Sequence, residues 1–335
     1  MKKIFILVLP FLGACSNTSG DNGNNPPGSF AVKHTSVTSN VATVSWSESI
    51  DPDGDKVLYS ISMGDFVKRG INGLHHTFTN LNSGKTYQMS ITAHDGKGGE
   101  TTIEHSFTTD KINGSTSPLK VPQTLQDYYK SVDFSKTGNE LHEQLATLTI
   151  AKHANFLDYG ERHKYLPQAD RAENQQNKVI LIYTGEVRNS RSNDVNTEHV
   201  YPQSKIGMTA KGDLHHLRYC DVKTNSARGN HPFAEGSGKT GLIGRNAWYP
   251  GDEWKGDVAR MVLYLNLRYN EDLGADISVQ GIDLLLKWNA EDPVSQIEKN
   301  RNDVIEKAQG NRNPFIDNPY LATLIWGKNK AENRW

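Results

Sequence analysis

Two cysteines, Cys15 and Cys220, are all that 335 residues contain, so a framework of several disulfides is excluded. The chain also lacks net charge: 37 basic and 38 acidic residues leave a formal −1. No global basic field exists, and a polyanionic partner would have to meet positive charge gathered in one cleft. Mean hydropathy is −0.63, which excludes a polytopic membrane protein. No internal repeat is visible, and no His-x-x-x-His pair offers the helical ligand set of a zinc hydrolase.

The chain opens on Met1-Lys2-Lys3, an apolar run over 4–12, and Leu12-Gly13-Ala14-Cys15. A short positive start, a short apolar core and small residues describe a secretory signal, too short to span a bilayer as a helix. Leu-Gly-Ala-Cys resembles the bacterial lipobox. That resemblance implies a signal peptide over 1–15 cleaved before Cys15, lipid on Cys15, and a lipid-anchored cell-envelope protein at the outer membrane or cell surface, or facing the periplasm. The plainer alternative is an ordinary signal peptide with an incidental cysteine. With Cys15 lipidated, Cys220 has no partner, and it reads as a small buried packing residue rather than a nucleophile. Residues 16–29 are Asn, Gly, Ser, Asp and Pro and read as a flexible tether.

Over 30–110 the pattern turns to period two, as in Val41-Ala42-Thr43-Val44-Ser45-Trp46 and Tyr87-Gln88-Met89-Ser90-Ile91-Thr92-Ala93. Turn signals separate the runs, which predicts an all-β sandwich. Leu81-Asn82-Ser83-Gly84-Lys85-Thr86-Tyr87 resembles the tyrosine corner of fibronectin type III domains, and Trp46 fits their core tryptophan. In one turn, Asp51, Asp53 and Asp55 supply hard oxygens that suit Ca²⁺. No bidentate Glu follows at the spacing of an EF-hand, and the preferred reading is a polar hairpin turn. Residues 111–118 form a second linker, and the sandwich is expected to act as a spacer or a substrate anchor.

From 119 to 335 the pattern is mainly helical. Leu141, Leu145 and Leu148 recur at helical spacing, and 258–267 reads as an apolar core helix. Residues 282–289 and 294–309 predict two more helices, the second opened by Asp292-Pro293. Val179-Ile180-Leu181-Ile182-Tyr183 predicts a buried strand.

The chemistry lies between these elements. Glu198-His199 places a carboxylate beside an imidazole: the first suits Mg²⁺, the second suits a base at neutral pH. Neighbours on a strand point to opposite faces, so sharing one site requires a backbone bend. Downstream, a short helix would put Asn225 and Arg228 on one face, with Gly229 ending it. An amide oxygen suits the same metal, and arginine suits phosphate.

Taken together, Glu198-His199-Val200-Tyr201-Pro202, Asp213-Leu214-His215-His216-Leu217 and Asn225-Ser226-Ala227-Arg228-Gly229-Asn230 resemble the endonuclease I family of bacterial periplasmic and secreted nucleases, with their His-Me finger, or ββα-metal, site. The stretches beginning at Gly256-Asp257 and at Asn311-Arg312-Asn313-Pro314 agree. The resemblance implies that the all-β sandwich is followed by a mainly α, α+β nuclease domain of the His-Me finger type over 119–335. It implies a Mg²⁺-dependent endonuclease, with Mn²⁺ or Ca²⁺ as substitutes, acting as a monomer on DNA, RNA or both with little sequence preference. His199 would be the general base, Glu198 and Asn225 the metal ligands, and His215 a bracing residue. The family's periplasmic branch carries a phosphate-binding arginine in a cysteine-containing insertion that is missing after Ser204, which leaves Arg218 or Arg228 for that role. Arg260 reads as a structural ion-pair partner. Two other functions compete: a zinc hydrolase using His199, His215, His216 and Asp213, and an adhesin whose sandwich binds a polymer while the second domain is inert.

Overall fold

The computed structural model describes residues 23–112 and 119–335. The signal segment, Cys15, the tether up to residue 22 and linker residues 113–118 lie outside the described residues. No helix among the described residues is long and apolar enough to cross a membrane.

The first domain is a β-sandwich. Strands β1 (Val32–Val37), β2 (Ala42–Trp46) and β5 (His75–Phe78) form one antiparallel sheet. Strands β4 (Phe66–Ile71), β3 (Leu58–Met63), β6 (Thr86–His94) and β7 (Glu100–Thr108) form the other, in that order. The alternation seen in sequence puts Val44, Trp46, Ile61, Met89, Ile91 and Ala93 between the sheets, each nearly without exposure. Trp46 packs edge-on against Tyr59 with ring centres 5.5 Å apart. At the predicted corner, the Asn82 N–H donates to the Tyr87 hydroxyl at 2.8 Å.

The second domain runs through α1 (Gln123–Tyr129), α2 (Gly138–Lys152), α3 (Arg162–Ala169), β8 (Lys178–Ile180), β9 (Val187–Asn189), β10 (Val195–His199), β11 (Leu217–Asp221) and α4 (Val222–Arg228). It continues through β12 (Gly241–Ile243), β13 (Ala247–Tyr249), α5 (Lys255–Tyr269), α6 (Ile282–Glu291), α7 (Gln296–Gln309), α8 (Pro314–Asp317) and α9 (Tyr320–Trp326). Helix α5 is its axis. Every residue from Gly256 to Arg268 is buried, as expected of a helix surrounded by others.

Two local expectations are corrected. The strand foreseen through Tyr183 stops at Ile180, because Thr184-Gly185 turns the chain back: Gly185 N–H bonds Leu181 O, and Leu181 N–H bonds Glu186 O. Tyr183 consequently sits at φ 72°, rare for a residue with a side chain. Helix α7 starts after Pro293. Ser295 caps it and pairs reciprocally with Glu298, a capping box that outcompetes the proline start. Cys220 is buried, and burial pushes its thiol up, as befits a packing residue.

The sandwich is docked on the second domain. Val41 belongs to the large core formed by α2, α5 and α9. Ser39 donates its N–H to Trp326 O and its hydroxyl to Ile325 O. Asn139 on α2 accepts from Asn40 and donates to Leu81 O at 2.8 Å. These contacts come from the tips joining β1 to β2 and β5 to β6, so the apolar alternation of the strands gave no hint of them.

Candidate nuclease site

Strands β10 and β11 form a hairpin, and α4 follows β11 without an intervening residue. Asp221 ends the strand and caps the helix, accepting the Thr224 N–H at 2.7 Å. Gly229, at φ 55°, ends the helix. The hairpin therefore delivers Asn225 back onto β10, where its amide nitrogen donates to Asn196 Oδ1 at 2.9 Å and to Thr197 O at 3.2 Å. A backbone carbonyl can only accept, so the nitrogen is the committed end of the amide. Its oxygen is the end left to take a cation.

The bend expected between Glu198 and His199 is absent. Pairing is in unbroken register, with Glu198 opposite Arg218 and His199 opposite Leu217, and β10 ends at His199. The two side chains leave on opposite sides. Asn196 and Glu198 face α4, while Thr197 and His199 face the segment around α3. They flank one strand end instead of lying on one face.

Glu198 is 3 % exposed. Its Oε1 accepts the Tyr183 hydroxyl at 2.8 Å, and Arg228 Nε stands 3.4 Å away. Burial raises its pKa above the usual carboxylate range, outweighing the opposing pull of Arg228 and Tyr183. A buried carboxylate of this kind gains from a cation neighbour.

His199 is 7 % exposed, its ring 4.7 Å from Tyr159 and 5.3 Å from His216. Nε2 lies 3.2 Å from Lys211 O. That carbonyl only accepts, so Nε2 carries the proton and Nδ1 keeps the lone pair. Burial, followed by the His216 charge, holds the pKa down to about 3, so the ring is neutral at pH 7. A neutral imidazole with a fixed tautomer is a proton acceptor.

The other expected residues fare differently. His215 is buried against Tyr264, with Nε2 3.2 Å from Asn311 O. The histidine that packs on His199 is its neighbour His216, which bonds Ala210 O at 2.9 Å. Both histidines are buried. Arg218 has no exposure and is ion-paired with Asp170 at 3.0 Å and Asp257 at 3.2 Å. Arg228, 1 % exposed, donates to Val200 O and Gly229 O. Neither guanidinium is free to meet a phosphate. Arg260 is the structural partner foreseen, gripping Glu298 at 2.6 and 2.8 Å. His199, His215, His216 and Asp213 form no metal-sized group, since the group of that kind among the described residues is Asp51, Asp53 and Asp55. The zinc reading is therefore set aside.

No motif or spacing pointed to Arg162, at the start of α3. Its guanidinium lies 3.7 Å above the Tyr159 ring, whose own neighbour is His199. Nε donates to Thr197 at 2.9 Å and Nη1 to Tyr159 O at 2.6 Å. The side chain is half-buried and makes no ion pair among the described residues. It is a cation beside the imidazole with donor capacity to spare.

A hairpin running into a helix, with a buried acid and a neutral base at the strand end, belongs here to a nuclease. The chain matches the family model for endonuclease I over residues 137–320 and is a member of that family; a second model, the fibronectin type III domain, matches residues 25–109. An extracellular ribonuclease of Bacillus subtilis (strain 168) is 39% identical over 227 residues, covering 59% of this chain and 78% of that protein. An extracellular ribonuclease of Bacillus amyloliquefaciens is 39% identical over 240 residues, covering 63% and 82%. An extracellular deoxyribonuclease of Aeromonas hydrophila is 31% identical over 117 residues, covering 32% of this chain and 49% of that one.

Proposed function

We propose that this nuclease is an exported, monomeric endonuclease, anchored by lipid on Cys15, that hydrolyses phosphodiester bonds in RNA and DNA with little sequence preference. His199 is its general base, and Glu198 and Asn225 hold one divalent cation, Mg²⁺ or in its place Mn²⁺ or Ca²⁺. The observation carrying this reading is the end of β10, which a neutral imidazole with its lone pair on Nδ1 flanks on one side and a buried carboxylate flanks on the other, with the amide of Asn225 laid back on the same strand. Both donors are hard oxygens, the chemistry such cations prefer. The cation, when bound, offsets charge on the phosphate and the departing oxygen.

His199 Nδ1 takes a proton from water as the water oxygen bonds to phosphorus, and the bond from phosphorus to the 3′-oxygen breaks. Lys211 O holds the ring so that the base points one way only. Tyr183 and Arg228 hold Glu198, so Arg228 acts through the carboxylate and not on the substrate. Arg162 takes over phosphate contact from Arg218 and Arg228. Ribonuclease relatives at 39% identity support RNA as a substrate, and deoxyribonuclease relatives support DNA.

The test incubates the full chain with RNA and with supercoiled plasmid, in Mg²⁺ and in EDTA. Cutting is expected in Mg²⁺ alone. Glu198→Ala and Asn225→Ala should each lose about 10²-fold or more and demand higher Mg²⁺ for what remains. Full activity of both variants at low Mg²⁺ would overturn the assigned ligands. Tight polymer binding without cleavage by the unaltered chain would favour the adhesin.

Arg162 has its own signature. Arg162→Ala should lower kcat by about 10²-fold, as loss of one donor to a charged transition state does. It should also reduce the slope of log binding against log salt by about 1. Added guanidinium should restore part of the rate. An unchanged kcat and salt slope would return the phosphate role to another residue.

A further inference from the structure

The loop between β2 and β3 carries Asp51, Asp53 and Asp55, for which a polar turn was the preferred reading. A turn accounts for only part of what is there. Asp51 Oδ1 accepts the N–H groups of Asp53 at 2.9 Å and Asp55 at 3.2 Å, and that oxygen closes the turn. Asp51 is nonetheless 6 % exposed, and its Oδ2 is shut off from solvent with no donor in reach. Asp55 Oδ2 is in the same state. The loop is not the hairpin expected, since β2 and β3 belong to different sheets; a turn between sheets needs neither oxygen, and a buried carboxylate oxygen without a donor is a standing cost.

The three residues each bring one carboxylate oxygen into a group whose members lie within 4.8 Å of one another. Calcium takes oxygens at about 2.3–2.6 Å, so ligands across one ion stand up to about 5 Å apart. Asp95, 6 % exposed, adds a fourth carboxylate nearby, but its oxygens already accept from Lys97 N, Gly99 N and the Asn24 amide. The cation paired with the group is Lys97, whose Nζ is 2.8 Å from Asp55 Oδ1 and whose side chain is 61% exposed. An ammonium on so exposed a stem is displaced at little cost. Asn25 is bonded to Asp53 through both its backbone N–H and its amide, so the segment entering the sandwich already lies against this loop.

We propose that the sandwich binds one Ca²⁺ through Asp51, Asp53 and Asp55, and that the ion fastens the incoming chain at residues 24–25 to the β2–β3 loop. Three carboxylates from one short loop suit an ion that takes six to eight oxygens in flexible geometry, more than Mg²⁺ with its strict octahedron. The site shares no residue with β10 or α4, so it stands or falls apart from the nuclease reading.

The experiment uses the full chain carrying Glu198→Ala, stripped of metal, and adds Ca²⁺ while thermal unfolding and Tb³⁺ luminescence are followed. Saturating Ca²⁺ should raise the unfolding midpoint of the sandwich by about 5 °C or more. Ca²⁺ should also displace Tb³⁺. Asp55→Asn, which leaves the turn bonds of Asp51 intact, should abolish both responses, and so should Asp51→Asn, whose amide oxygen can still close the turn. Lys97→Ala should tighten Ca²⁺ binding several-fold by removing the competing ammonium, an effect that a purely structural turn would not produce. No midpoint shift at millimolar Ca²⁺, or the same shift in both Asp variants, would overturn the proposal.

Discussion

The His199→Ala chain is expected to fold and to lose about 10²–10⁴-fold in kcat on both RNA and plasmid, the range a positioned general base contributes. The loss should fall on kcat, because a general base at this position meets the attacking water and not the polymer. Folding should survive because His199 ends its strand and gives up one bond, to Lys211 O, while the register of β10 on β11 is made by backbone. The ring lies between Tyr159 and His216, so its removal leaves a slot lined by two aromatic rings. Added imidazole should enter that slot and restore part of the rate. Rescue separates a missing base from a distorted site. A His199→Ala chain that cuts at the original rate would sink the mechanism.

How far such a site is readable in sequence depends on how local its contacts are. That Glu198, His199 and Asn225 gather at one strand end was legible because the hairpin and the helix that join them lie within one short stretch, and Gly229 marks where that helix stops. Arg162 was not. It meets Thr197 from 35 residues away, across a packing of α3 that no local pattern announces. Arg218 and Arg228 were misread for the complementary reason. An arginine beside candidate site residues looks available until burial is known, and both turn out to be spent on Asp170, Asp257, Glu198 and main-chain carbonyls. The same limit explains His215 and His216. They are consecutive in sequence, and only the tight helical turn they occupy decides which ring reaches His199. The sandwich was legible from period two, yet its docking was not, since Ser39 and Asn40 lie at a turn with no periodic signal, and Val41, which opens the alternating run, packs into the second domain's core and not the sandwich's.

The largest loss of stability is expected from Asp170→Asn, at about 3–5 kcal/mol, because this carboxylate has no exposure and serves three partners on two elements at once. Its Oδ1 pairs with Arg218 on β11 and Arg301 on α7, and its Oδ2 accepts the Tyr219 N–H at 2.8 Å. Arg301 also donates to Leu214 O and Leu217 O, at 2.9 Å each. Burial holds the Arg301 pKa down to about 10 even with Asp170 beside it, which shows how poorly this interior tolerates the charge alone. An amide in place of the carboxylate leaves two buried guanidinium groups with Asp257 as the remaining partner of Arg218 and no carboxylate for Arg301. Since β11 holds β10 in register, the hairpin end that carries Glu198 and His199 should loosen in the same variant. Urea unfolding measures the first effect, and loss of activity at a temperature where the unaltered chain is folded measures the second. Adding Arg301→Met should recover part of the stability, because removing both charges costs less than stranding one. A loss below about 1 kcal/mol for Asp170→Asn would mean that water or rearranged side chains reach these arginines and that the cluster is not the clasp its burial indicates.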